Sequence, residues 1–287
     1  MAVNNTNFNP VRLSGQILRQ LRMRLVTDSI VNRNWEGEIE GPEDTVEILT
    51  LAGLTIGDYD PSTGITVETE PTADTSQLAL PHKKYFAFIA DLADNGARFA
   101  DIFQQEGLQD LLTEAQKYVL GRYTGAGEQV SFDATLPEST EAERKTKRGA
   151  FYAAVGECKV TLDENEVPDE GRDLMLRPPE CRLIEDDIVD RDTNLGDSVV
   201  QNGYQGLYRG FEVYKAPSSH FTSTGTSPAY DHALAGSRIA ITYADAVVQV
   251  RRQQSERYFG DQVDGLHVGG AKVVRPKALI DFRMQTA

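Results

Sequence analysis

Apolar residues recur every four positions from Leu13 through Ile17 and Leu21 to Leu25, just after Asn9-Pro10, with arginines between them. That spacing predicts a helix with one narrow apolar stripe, able to dock on its own domain or on another chain. The texture then becomes strand-like. Thr45-Val-Glu-Ile-Leu-Thr-Leu51 reads as a strand, Gly57-Asp-Tyr-Asp-Pro-Ser-Thr-Gly64 as a turn and Ile65-Thr-Val-Glu-Thr-Glu70 as a returning strand, so a long hairpin is predicted between Trp35 and Leu80. Folded back on itself at about 3.3 Å per residue, it could project on the order of 60 Å, against a radius of gyration of about 19 Å for a compact chain of this length. Two strands alone bury too little to be stable in water. The apolar Val46, Ile48, Leu51, Leu54 and Ile56 therefore imply that something else supports the hairpin.

Lys84-Tyr-Phe-Ala-Phe-Ile-Ala90 is a short strand candidate, followed by a long helix over 97–123 in which Leu108, Leu111, Leu112, Ala115, Tyr118, Val119 and Arg122 share one side. Gly107 is a place where that helix could kink or divide. A second helix opens at Ser139 or Thr140 as N-cap, with Glu141 and Glu143 in its first turn, runs through Phe151, Ala154, Val155 and Cys158, and stops before Pro168. Asp173–Arg177 reads as a strand and Pro178-Pro179 opens a short helix. Gly203–Gly206 and Gly210–Tyr214 flank a tight strand pair, 217–230 is a polar loop, and strands follow at Arg238–Thr242, Ala246–Val250, Gly265–Val274 and Ala278–Phe282. Elements of both types in this order predict a mixed α+β fold.

The chain has 287 residues, enough for a sizeable core, with apolar and charged fractions near the soluble average. Its start is polar and no apolar run approaches the roughly 20 residues of a membrane span, so it is expected to be unexported and to have no membrane partner. Cys158 and Cys181 are expected to be idle buried thiols rather than a disulfide framework or zinc ligands. The net charge of -15 disfavours general nucleic-acid binding. Its distribution says more. Residues 1–34 carry Arg12, Arg19, Arg22, Arg24 and Arg33 against Asp28, whereas 35–80 carry eleven acids and no Lys or Arg. Adjoining segments of opposite sign suggest surfaces made to meet partners.

Several phrases, in order, resemble the tailed-phage major capsid family, whose fold encapsulin shells share: Val31-Asn-Arg-Asn-Trp-Glu-Gly-Glu-Ile39, Val167-Pro-Asp-Glu-Gly-Arg172, Gly206-Leu-Tyr-Arg-Gly-Phe-Glu-Val213 and the stretch from Arg257-Tyr-Phe-Gly to Val274-Arg-Pro276. Each is weak alone; together they cover nearly the whole chain. The resemblance implies an N-terminal arm (1–34), an extended β-hairpin loop (35–82), a peripheral domain with a long spine helix (83–126 with 251–287) and an axial domain (127–250). It further implies a non-enzymatic coat protein that self-assembles as hexamers and pentamers into an icosahedral shell around double-stranded DNA. Such a shell is assembled in the host bacterial cytoplasm, with a scaffolding protein, a portal and a cement or decoration protein as further partners. The expected inter-subunit contacts are Leu13, Ile17 and Leu21 of the arm, Val46, Ile48, Asp58, Tyr59 and Asp60 of the hairpin, and a basic counterpart at Arg251, Arg252 and Arg257. Some relatives cross-link through a lysine of the extended loop; no lysine occurs from Trp35 to His82, so that link is not expected. Nor does a hairpin beginning near residue 35 leave room for a removable scaffolding segment, so a separately encoded scaffold is expected.

Chemistry points nowhere else. His82, His220, His232 and His267 are far apart in sequence with no helical metal pair, and no Gly-x-Ser-x-Gly elbow is present. The glycine pairs lack a phosphate loop's spacing, and Asp186, Asp187 and Asp190 lie among arginines as a solvated run does. No cofactor or metal is expected. Two rivals stand beside the virus reading: an encapsulin shell, and a soluble α+β enzyme or ligand-binding protein, for which no constellation is found.

Overall fold

Among the residues described by the computed structural model (27–39, 41, 43, 45–51, 56, 59, 61, 73–91, 100–190, 204–255 and 259–286), the first element is α1, a single turn over Thr27–Ile30. Strands β1 (Thr45–Leu51) and β2 (Ala73–Ala79) pair antiparallel, with Val46 opposite Leu78. The predicted hairpin is therefore present at its base, but β1 pairs with 73–79; the predicted return at 65–70 lies outside the described residues. β3 (His82–Asp91) follows, then α2 (Ala100–Leu120), which passes Gly107 without a break and tightens into a 3-10 turn at Gly121–Gly125. At 1.5 Å per residue α2 is about 32 Å long. It buries Leu111, Ala115, Val119 and Leu120, whereas the predicted Leu112 is 38% exposed.

β4 (Glu128–Asp133), which the sequence reading passed over, leads to α3 (Glu141–Glu164). Of the two expected caps, Thr140 is the one that caps α3, and Glu143, expected only as a first-turn acid, also reaches back to complete a capping box. Phe151, Ala154, Val155, Cys158 and Leu162 form its buried stripe. β5 (Arg172–Leu176) and α4 (Pro178–Asp190) come next, with prolines where a helix leaves its first N–H groups free. β6 (Tyr204–Tyr208) and β7 (Phe211–Lys215) are joined through Arg209 and Gly210, both at positive φ, the two-residue turn that suits a twisted hairpin. Arg209 tolerates this because its guanidinium stacks on Tyr152 at 3.9 Å and donates to the Tyr152 carbonyl. The expected polar loop contains β8 (Thr222–Thr224), and β9 (Tyr230–Ser237) follows where no strand was expected. The last strands are β10 (Ile241–Gln254), β11 (Gly260–Val273) and β12 (Leu279–Gln285).

Two larger sheets organise these elements. One runs β4-β12-β9-β5-β7-β6 with β8 alongside β9, and α3 and α4 pack against it. The other runs β10-β11-β3, all antiparallel, and α2 lies on one face. This pairing differs from the expected division of the chain. β12 joins β4 and β9, because its Ile280, Phe282 and Met284 are wholly buried in the larger sheet's core. Residues 279–285 thus belong with 128–237, and a boundary at 250/251 would cut through β10.

Candidate inter-subunit surfaces

The hairpin base is fixed by the chain itself. Val46, Ile48, Leu78 and Leu80 point to one side of β1 and β2, as alternation requires, and meet Ala244, Val268 and Val274 from the smaller sheet. Trp35 and Ile39 pack against this cluster. Val46 and Ile48, 8% and 3% exposed, are therefore used inside the subunit, not offered to a neighbour as expected. The opposite side of β1 carries Glu47, bonded to Gln77, and Leu49, which is 68% exposed. Farther out, Ile56 and the predicted contact Tyr59 are 95% and 70% exposed. Leu13, Ile17, Leu21, Asp58, Asp60 and Arg257 lie outside the described residues.

A strap precedes the hairpin. Asn32 bridges to Thr242: its backbone bonds Ile241 and Tyr243, both at 2.9 Å, and its side chain takes the Thr242 hydroxyl at 2.8 Å. Arg33 then spans Glu36 and Asp245 and lies over the Tyr243 ring. Nothing in the sequence signals this parallel bridge, since its two sides are remote along the chain.

The smaller sheet has one covered face and one open face. On the covered face, the Phe86 ring lies between Gly107 of α2 and Gly265 of β11, and Phe88 meets Phe103 edge to face at 5.9 Å. On the open face Tyr85 stands opposite Leu266, and the two are 77% and 40% exposed. They line a shallow hollow of about 400 Å³ with Gln249, Arg251, Gln262 and Asp264. Arg251 and Arg252, expected to answer the acidic hairpin of a neighbour, instead pair across their own ladder with Asp264 at 2.9 Å and Asp261 at 2.7 Å. Antiparallel register sets Arg251 directly opposite Asp264, and Arg252 reaches Asp261 on the diagonal. Hydrogen bonds from Gln262 and Arg251 hold Asp264 below the usual carboxylate range against a small opposing effect of burial. Solvent-exposed pairs like these contribute only about 0–1 kcal/mol.

Polar groups buried in the larger sheet are paired. Asp281 accepts from Arg283 and binds His232 Nδ1 at 2.9 Å, while His232 Nε2 meets the Thr224 hydroxyl at 2.6 Å. The order carboxylate, imidazole, hydroxyl is that of a nucleophile triad, and no spacing in the sequence announces it. Tyr123, however, stacks flat on His232 with ring centroids 3.9 Å apart, so the imidazole face is filled by protein. What the chain of bonds does here is tie β8, β9 and β12 together. Arg177, likewise buried, joins Glu180 to Asp231.

No protein-family model matches the sequence, and no curated protein matches it. Solved structures do. A structure from Mycobacterium phage Che8 is 19% identical and aligns over 96% of this chain and 97% of that one, with a TM-score of 0.75. The capsid of cyanophage P-SCSP1u aligns over 96% and 92% at 14% identity and a TM-score of 0.70. The mature capsid of bacteriophage PhiM1 aligns over 96% and 91% at 12% identity and a TM-score of 0.68. Full-length superposition at such low identity reports shared architecture, and the chain has the major capsid fold of tailed phages.

Proposed function

We propose that this chain is a major capsid protein that self-assembles, as hexamers and pentamers, into an icosahedral shell enclosing a phage genome. The observation that carries this reading is end-to-end agreement with phage capsid structures, together with a hairpin whose base is locked and whose outer apolar residues face solvent. Obligate assemblies commonly bury about 2,000–5,000 Å² between partners, and Leu49, Ile56, Tyr59, Tyr85 and Leu266 are the apolar surface from which such contacts are built. The hairpin of one subunit lies across a neighbour, and the arginine-rich segment 1–34 reaches another copy. Residues 35–82 act as the extended loop, β3, α2, β10 and β11 as the peripheral part, and the larger sheet with α3 and α4 as the axial part. A scaffolding protein, a portal and a cement protein complete the particle. The chain contributes no catalytic step.

The test is negative-stain microscopy of the full chain expressed alone and with candidate scaffolding proteins, beside a deletion of residues 58–64. Closed shells from the parent, and a folded but poorly assembling deletion, are expected. Normal shells from the deletion would remove the hairpin's role; particles loaded with protein cargo instead of DNA would favour an encapsulin.

A further inference from the structure

A pair of histidines sits in the contact between α2 and the smaller sheet, where an ordinary core would hold apolar side chains. His82 opens β3 and His267 lies within β11; they are 8% and 0% exposed, and their rings meet edge to face with centroids 5.9 Å apart. His267 Nε2 lies 2.9 Å from Asp245 Oδ1 and 3.3 Å from the Tyr243 hydroxyl. A neutral His267 thus carries its proton on Nε2, leaving Nδ1 as an acceptor. That Nδ1 is buried with no hydrogen-bond partner among the described residues, and the same is true of His82 Nδ1 and Arg122 Nε. Tyr118 links two of them, its ring lying tilted against His82 at 4.5 Å and under Arg122 at 4.1 Å, while His267 joins through His82. A buried nitrogen without a partner forfeits its hydrogen bonds to water, which makes the joint weaker than its apolar surroundings.

The charges around His82 are lopsided. Lys84 of β3, Arg122 after α2 and His267 of β11 disfavour a further positive charge. Glu114 of α2 favours it, but that carboxylate is already held by Lys117 at 2.7 Å. Behind His267, Asp245 of β10 is shared with Arg33 of the strap. Burial raises the Asp245 carboxyl, but hydrogen bonds from His267 and Tyr243, with Arg33 near, outweigh it and keep it below the usual range.

We propose that this histidine pair is a pH-sensitive joint: protonation of His82 loosens the grip of α2 on β3 and β11 at the point where the strap, the sheet and the long helix meet. A protonated ring would set a cation against His267, Lys84 and Arg122, with its buried Nδ1–H making no hydrogen bond among the described residues. Burial first, then His267 and Lys84, already hold His82 below the ordinary histidine value. A base of that kind takes up its proton on opening, so the joint is tightest above about pH 6.5 and weakens as the pH falls below it. The inference concerns the folded subunit and stands whether or not the chain assembles.

Amide hydrogen exchange on the full-length chain between pH 7.5 and 5.5, corrected for the chemical exchange rate, tests it. Exchange in 82–90 and 108–120 should accelerate by roughly ten-fold per pH unit once one proton is linked to opening, while α3 stays unchanged. His82→Gln should abolish that dependence. A variant that keeps the full dependence overturns the proposal. If His82→Gln does not fold, the parent still decides: no acceleration, or equal acceleration in α3, refutes a local joint.

Discussion

Leu78→Ala probes whether the hairpin base is held by its own small cluster or is an outgrowth of the main core. Leu78 is wholly buried and faces Val46 directly across the ladder. The substitution removes three carbon atoms, at about 0.8 kcal/mol each, or about 2.4 kcal/mol of transfer free energy. A partly collapsed cavity brings the loss to about 3 kcal/mol, inside the range of buried Leu→Ala changes. At 1.4 kcal/mol per decade, that is roughly a hundred-fold in the opening equilibrium of the unit concerned. A two-stranded ribbon has little stability to spare, and the cluster shares no buried residue with the core between α3 and the larger sheet. The loss should therefore fall on the ribbon. Hydrogen exchange followed by mass spectrometry should show 45–51 and 73–79 exchanging roughly a hundred-fold faster, with α3 and β12 unaffected and shell yield reduced. Equal acceleration in α3 would show one cooperative unit; unchanged protection of β1 would show that Leu78 does not hold it.

Other expectations follow from single contacts. Gly265→Ala would place its Cβ about 2.1 Å from the Phe86 ring, so it should destabilise by about 1–3 kcal/mol; thermal melts should show Phe86→Leu recovering part of the loss, and strict additivity would refute the clash. Burial raises Asp173 to about 6, with the Arg238 hydrogen bond opposing; Arg238 is 40% exposed and screened by water, so the burial of Asp173 decides the pair. The folded chain then holds an extra proton between about pH 4 and 6, so denaturation midpoints should fall as pH rises through that window and level off above it, and Asp173→Asn should flatten this. Burial pushes the Cys158 and Cys181 thiols up to about 12; neither should react with a thiol reagent at pH 8 until denaturant exposes both.

The sequence was legible where structure is local. The N-cap at Thr140 and the buried stripe of α3 are local in the chain, and both form as expected. β9 was illegible for a physical reason: it is buried on both faces inside the larger sheet, so its residues show no alternation, and its Asp231 and His232 look like loop residues until Arg177 and Asp281 reach them from afar. β4 does alternate, with Val130 and Phe132 inward, and was available to a period-two reading. Val46 and Ile48 were correctly read as needing a partner, but the partner is Val268 and Val274 of the same chain. Arg251 and Arg252 looked uncommitted only because β-register brings Asp264 and Asp261 from the next strand.

The separation of the two clusters sets which part of the folded chain gives way first. The main core joins α3, α4 and both edges of the larger sheet, from β4 to β6, and holds nearly all the fully buried large side chains. The second cluster is small and rests on the smaller sheet, where the strap, the hairpin base and the long helix converge on β10 and β11. Local opening follows local contact density, so β1 and β2, held by the small cluster alone, open before the larger sheet does. β10 and β11 themselves stay anchored, because Ile241, Tyr243, Ala271 and Val273 belong to the main core, so a loss in the small cluster falls on β1 and β2 and leaves the larger sheet intact.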